Sequence, residues 1–188
     1  MVITFMGVVL AAVAGAAVVS DDGTRPYRLT VPATAAGLPI DQGQTEEYRT
    51  YNMEQDAYSR RRYEAELGGE IDAGLVGAVY ADPADGRLVI FRGLTGSGLS
   101  PRKLKSGMAR LLREAGLPSA LRDVDPGPNG GSAVCTPPAK DVACTSMTST
   151  TIVMIEFVPM TLAPESRLDL ERALRILHGV RAAAERPA

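Results

Sequence analysis

Ile152-Val153-Met154-Ile155-Glu156-Phe157-Val158 is the stretch on which the fold turns. It is rich in β-branched and aromatic residues and apolar at successive positions, the composition of a strand covered on both faces, so it predicts the central strand of a sheet. Glu156 is the departure. At period two it shares a face with Met154 and Val158, and a carboxylate there calls for a sheet edge, an arginine partner or a functional use.

Outward from this strand the signals alternate. Towards the N-terminus lie the polar Thr148-Ser149-Thr150, a strand over Val142 to Met147, and strands over Gly131 to Val134 and Ala120 to Val124 around the turn-rich Asp125-Pro126-Gly127-Pro128-Asn129-Gly130. Earlier still, Leu75 to Tyr80 and Leu88 to Arg92 read as a hairpin, with Pro83 and Asp85-Gly86 in its turn. A helix follows, with Ser100 as N-cap, Pro101 in the first turn, and Leu104, Met108, Leu111, Leu112 and Ala115 on one face, stopped by Gly116 and Pro118. Thr45 to Leu67 predicts another helix, capped by Thr45, carrying Tyr48, Tyr51 and Tyr58 at helical spacing and ended by Gly68-Gly69. Towards the C-terminus, Pro164 opens a last helix with Leu170, Ala173, Leu174, Leu177 and Val180 as its apolar stripe, and residues 182–188 are expected to fray. The order predicts an α+β domain with a mostly antiparallel sheet and helices packed on one face.

Residues 1–20 contain no charged side chain. As a helix they approach the roughly 30 Å of a bilayer's hydrocarbon core, which predicts an N-terminal transmembrane helix. A cleaved signal peptide is the rival, because Ala12-Val13-Ala14 and Ala14-Gly15-Ala16 both fit a small-x-small cleavage pattern; the missing basic leader and the long apolar run favour an uncleaved anchor. The domain plan is then anchor 1–20, extended linker 21–44 with one short strand from Tyr27 to Val31, domain 45–184, and tail 185–188. Arg25 and Arg28 would weakly hold the following chain inside the cell by the positive-inside rule.

The two cysteines point the other way. Cys135 and Cys144 are spaced for a loop-closing disulfide, a bond that persists outside the cytoplasm; two free thiols are the alternative. A metal site would need more ligands than these two cysteines and the single histidine, His178, supply. The location expected is therefore the cell membrane, single-pass, with the C-terminal domain outside, or secretion if the leader is removed.

Chemistry is sparse. The net charge of -2 argues against a nucleic-acid binder, which needs a basic face, and with no tryptophan and few aromatic residues the chain offers little for a stacking platform. Gly93, Gly96, Ser97 and Gly98 lie between a predicted strand and helix, where backbone amides can hold an anion, yet they match neither the P-loop nor the dinucleotide fingerprint, and a plain flexible connection is the favoured reading. His178 stands near a helix end, and no G-x-S-x-G elbow surrounds Ser97. Asp82, Asp85, Asp123 and Asp125 read as turn and strand-end residues, and Arg60-Arg61-Arg62 among neighbouring acids reads as a salt-bridged helix face. No catalytic residue, cofactor or metal is nominated.

The apolar run, the extended Tyr27-Arg28-Leu29-Thr30-Val31-Pro32, the strand entry from Ile71 to Asp82, and Gly130-Gly131-Ser132-Ala133-Val134-Cys135 with its second cysteine at 144 together resemble small membrane-anchored extracytoplasmic proteins of high-GC Gram-positive bacteria. Thr145-Ser146-Met147 departs from the more aromatic or acidic continuation of that family. The resemblance implies a location and an architecture, and no activity. The functional expectation is a binding, sensory or envelope-associated module tethered to the membrane, with an envelope protein as candidate partner; the alternative is an extracytoplasmic hydrolase or transferase without a recognisable motif.

Overall fold

The strand predicted around Ile152 does sit inside a seven-stranded sheet. The computed structural model describes residues 26–52, 56–72, 75–137, 142–160 and 169–188. In chain order the strands are β1 (Tyr27–Leu29), β2 (Thr34–Ala35), β3 (Leu38–Pro39), β4 (Glu70–Ile71), β5 (Val76–Asp82), β6 (Arg87–Ser97), β7 (Arg122–Val124), β8 (Ser132–Cys135), β9 (Val142–Met147), β10 (Thr151–Pro159) and β11 (Glu185–Pro187). The helices are α1 (Gln42–Asn52), α2 (Asp56–Leu67), α3 (Leu104–Glu114) and α4 (Leu170–Ala184). The main sheet runs β4-β6-β10-β9-β8-β7, with β5 beside β4 along the same edge of β6. Every pairing within it is antiparallel. The protein is therefore α+β with a mostly antiparallel sheet, as the order of elements predicts.

The alternation of β10 divides the core in two. Val153, Ile155 and Phe157 point to a cluster with Ala173, Leu177 and Val180 of α4. Ile152 and Met154 point the other way, to Leu67 of α2 and to Leu104 and Met108 of α3. Helices thus cover both faces, which corrects the expectation of one. The reason lies in β10 itself: a strand apolar on both sides has two faces to bury, and one helical layer can cover only one.

Several helix ends differ from the sequence reading. Asp41, not Thr45, caps α1: its Oδ1 accepts from the Gln44 N–H at 3.0 Å. Thr45 is one turn inside, buried, and exchanges hydrogen bonds with the backbone of Val79. Ser100 makes no side-chain cap, because the chain enters α3 through a 3₁₀ turn, Pro101–Lys103. Asp169 caps α4 through the N–H of Glu171. The expected opening at Pro164 lies outside the described residues, as do the expected anchor, residues 1–20, and its two cleavage patterns. Among the described residues no helix is long and apolar enough to cross a membrane.

The short strand expected from Tyr27 to Val31 is present as β1, and where a frayed tail was expected its partner strand forms. β1 pairs antiparallel with β11, so that Tyr27, Arg28 and Leu29 face Pro187, Arg186 and Glu185. Tyr27 and Pro187 form a non-hydrogen-bonded pair of that ladder, so the Tyr27 N–H points away from β11 and donates to Thr150 Oγ1 at 2.8 Å. What holds β11 is a buried ion pair. The Arg181 side chain is 0% exposed and Glu185 1%, with Nε 3.0 Å from Oε2. Arg181 also donates to the carbonyls of Pro126 and Gly130, and Glu185 accepts from Thr151 Oγ1 and Asn129 Nδ2, both at 2.6 Å. Hydropathy alone reads residues 182–188 as a tail because this satisfaction comes from residues distant in sequence.

Cys135 and Cys144 are register partners on β8 and β9 and form a disulfide, with Cα atoms 4.1 Å apart. Closing a loop of this length restricts the unfolded chain by about 2–3 kcal/mol. Cys135→Ala/Cys144→Ala is expected to lower the melting temperature by about 5–10 °C in calorimetry. Arg181→Met leaves the Glu185 carboxylate buried without its cation and is expected to cost about 3–5 kcal/mol in denaturant unfolding. Glu171→Gln, on the exposed side of α4, serves as the control and stays within about 0.5 kcal/mol of the parent chain.

Candidate functional site

A cleft of about 290 Å³ opens on the face of the sheet that α2 and α3 cover. The sheet supplies its floor by alternation: Ile90 and Arg92 from β6, Met154 and Glu156 from β10, Ala143 and Thr145 from β9. Helix α2 supplies Ser59, Arg62 and Tyr63, while Met108, Leu111, Leu112 and Ala115 of α3 with Leu117 beyond its end form the apolar wall. Leu117 is 54% exposed, one of two large apolar side chains so exposed among the described residues, and it stands at the cleft's lip. The two helices are joined to each other by Arg62–Glu114 and by Arg110–Glu66. Arg62 thus takes the salt-bridged role expected of the basic run.

Glu156 resolves into the ion pair that its sequence position allows. Arg92 Nη2 lies 2.8 Å from Glu156 Oε2, both side chains about two-fifths exposed at 35% and 42%. The pair is possible on a central strand because both side chains stay partly exposed in the cleft, so neither charge carries a full desolvation cost. Arg92 also stands over the Tyr48 ring, 5.8 Å from its centroid. Gly77 makes room for that ring: a Cβ on it would meet Tyr48 at 2.6 Å. Tyr63 donates to Met154 Sδ at 3.3 Å. Burial raises the pKa of both Tyr48 and Tyr63, and the Arg92 charge offsets part of the rise in each. Nothing is described of the side chains of Tyr51 and Tyr58.

The glycine-rich candidate is corrected. Gly93, Gly96 and Ser97 belong to strand β6, and only Gly98, at φ +65°, leaves it. The Gly96 N–H donates to the Thr150 carbonyl at 2.8 Å, and Ser97 is the register partner of Glu70. These glycines are small because other chains cross there. A Cβ at Gly96 would meet the Glu70 carbonyl at 2.2 Å, and one at Gly93 the Leu29 side chain at 2.6 Å. A strand occupied on both sides presents no anion cradle. Gly-rich composition signals close approach and loop alike, and sequence alone does not separate them.

The remaining candidates lie apart from the cleft. His178 Nε2 is 2.9 Å from the Asp125 carbonyl oxygen, on α4 across the sheet from Glu156. Asp82 is buried and receives Arg172 at 2.5 Å, while Asp85 faces Arg87 at 3.2 Å. Asp123 pairs with Lys105 at 2.5 Å, and Asp125 Oδ1 accepts from the Gly127 N–H. Among the described residues no three His, Cys, Asp or Glu side chains converge as metal ligands do. The missed signal was Arg92: its place at the end of Leu88 to Arg92 marked it as a strand boundary, whereas the strand continues past it.

Comparison with family models, with curated proteins and with solved structures finds no match to this chain. What the cleft does is carried by its own geometry. The Arg92–Glu156 pair is wet, so a double-mutant cycle of Arg92→Ala and Glu156→Ala is expected to return a coupling of about 0.2–1 kcal/mol. Alkaline titration followed by tyrosinate absorbance separates the tyrosines. Burial pushes Tyr80 up to about 12 and raises Tyr48 and Tyr63 as well, from an ordinary value of 10.0. Because the folded state holds these protons longer than the unfolded chain, their contribution is complete below about pH 10 and is lost as pH rises towards 12.

Proposed function

We propose that this protein is a membrane-anchored extracytoplasmic binding module, and that the cleft between α2, α3 and the sheet receives a small, mainly apolar ligand group with a polar end. One observation carries the reading: an open apolar wall of Met108, Leu111, Leu112 and Leu117 ends at a half-exposed Arg92–Glu156 pair. Apolar walls with a few fixed polar groups are what small-ligand sites are built from, and the volume lies at the small end of their range, about 300 Å³. The apolar run at residues 1–20 supports the anchor. The Cys135–Cys144 bond supports an oxidising compartment. The resemblance to small anchored envelope proteins points the same way.

The rival, a hydrolase or transferase, needs a second proton-handling or nucleophilic group near the first. Glu156 is the one carboxylate among the described lining residues, and it faces an arginine. Those groups fix the orientation of a ligand's polar end more readily than they activate water.

A photo-crosslinking residue at position 117 of the full chain, in its own membrane, tests the cleft. A discrete adduct that disappears when Ala115→Trp fills the lip is the result expected. An adduct indifferent to that substitution, or no adduct, removes the cleft from the reading. Protease treatment of intact cells tests location, and a domain that stays protected places it inside and overturns the extracytoplasmic assignment.

A further inference from the structure

The β1–β11 ribbon sets two arginines directly opposite one another. Arg28 and Arg186 are register partners, and both are exposed. Register partners in an antiparallel ladder send their side chains to the same face, about 5 Å apart, and like charges so placed destabilise it. Among the described residues neither arginine makes an ion pair: the nearest acid in the ribbon, Glu185, turns inward to Arg181. The other charged contacts of the fold pair opposite signs across elements, as in Arg62–Glu114, Lys105–Asp123 and Arg172–Asp82. The ribbon thus sets two like charges side by side with no acid between them.

Its position says what relieves it. Only the six residues from Asp21 to Pro26 separate the uncharged run from β1, and fully extended they reach about 20 Å. By sequence, Asp21 and Asp22 balance Arg25 and Arg28. Arg186, brought from the far end of the chain by β11, tips this membrane-proximal end positive. Two planar guanidinium forks on one face match the oxygens of a phosphodiester, which two ammonium groups would meet only as point charges.

We propose that Arg28 and Arg186 form a two-arginine clamp for the phosphodiester of an anionic phospholipid in the leaflet next to the anchor. The clamp rests on the membrane-anchored reading above. It fixes the domain's orientation on the membrane through two strands distant in sequence, since β1 and β11 each contribute one guanidinium.

The test uses the full chain in zwitterionic micelles, with the arginine Nε–Hε signals followed by NMR. Dihexanoyl phosphatidylglycerol is expected to move the Arg28 and Arg186 signals together to saturation, while dihexanoyl phosphatidylcholine and inorganic phosphate at equal concentration leave them in place. Arg28→Gln and Arg186→Gln each weaken the phosphatidylglycerol response about fivefold, whereas Arg175→Gln, whose partner is Glu171, does not change it. Equal movement with inorganic phosphate, or a response unaltered by the double Gln variant, overturns the clamp. Carbonate extraction of membranes keeps the two readings apart. A chain released by carbonate overturns the anchor and the clamp with it. A chain that stays in the membrane and gives a flat titration overturns the clamp alone.

Discussion

The buried pair Arg181–Glu185 is the constraint from which the ends of the molecule take their form. A charge pair with exposures of 0% and 1% is costly to bury, and it persists only where every remaining donor and acceptor is met. Here the partners come from two places: the 126–130 turn, which gives the carbonyls of Pro126 and Gly130 and the amide of Asn129, and Thr151 at the start of β10, itself bonded to Thr148. Satisfying one carboxylate therefore fixes the end of α4, the turn before β8 and the entry to the central strand. Glu185 is also the first residue of β11, so the same pair fixes the ribbon with β1. The ordering of a terminal segment costs about 1–2 kcal/mol per residue, and a short strand with two exposed residues does not recover that from burial alone.

Helix α4 is pinned at its other end by a second set of charges. Arg172 reaches the buried Asp82 at the close of β5, and Asp85 in the hairpin turn takes Arg87. The apolar stripe between, Ala173, Ile176, Leu177 and Val180, then lies on Val153, Ile155 and Phe157 with little freedom to slide. The opposite face is built differently. Helix α2 is strongly polar: Leu67 and Tyr63 are what it contributes to the core cluster shared with α3, and ion pairs at its surface join the two helices besides. Such pairs are weak individually. The cleft opens on the side where cohesion is lower, which is where a site that must admit a ligand is expected.

The strands were legible because their chemistry is local. Val142 to Met147 reads as a strand from its own residues and is one, and the Asp82 to Gly86 turn follows from Pro83 and Asp85-Gly86. The 3₁₀ entry to α3 and the strand at residues 185–187 were not legible, because each depends on a partner elsewhere in the chain. Glu156 shows the boundary well. Its sequence position demanded an explanation and named the ion pair among three, but that the partner is Arg92 follows from the antiparallel register of β6 on β10, in which Met154 faces Arg92. The glycines from Gly93 to Gly98 show the opposite failure: a local pattern with a local chemical reading was in fact set by close approach of β4 at Gly96 and of the Leu29 side chain of β1 at Gly93.

The sheet keeps the two proposed sites apart. Leu29 of β1 packs against Gly93 on the face that holds Val153 and Phe91, while the cleft lies on the face of Met154 and Glu156. Residues that alternate along one strand thus serve both sides, Arg92 for the cleft and Gly93 for the ribbon. An attachment made through β1 and β11 leaves the α2–α3 cleft uncovered, so the chain can be held at a surface and still bind on its far side. The same alternation makes the sites mechanically connected, since a shift of β6 along β10 would move both. That register is held by nine consecutive residue pairs between the two strands, and side chains from Leu94 to Leu88 are divided between two packed cores. A one-residue slip would reverse every one of them, so the sheet transmits attachment as a fixed frame and not as a moving part.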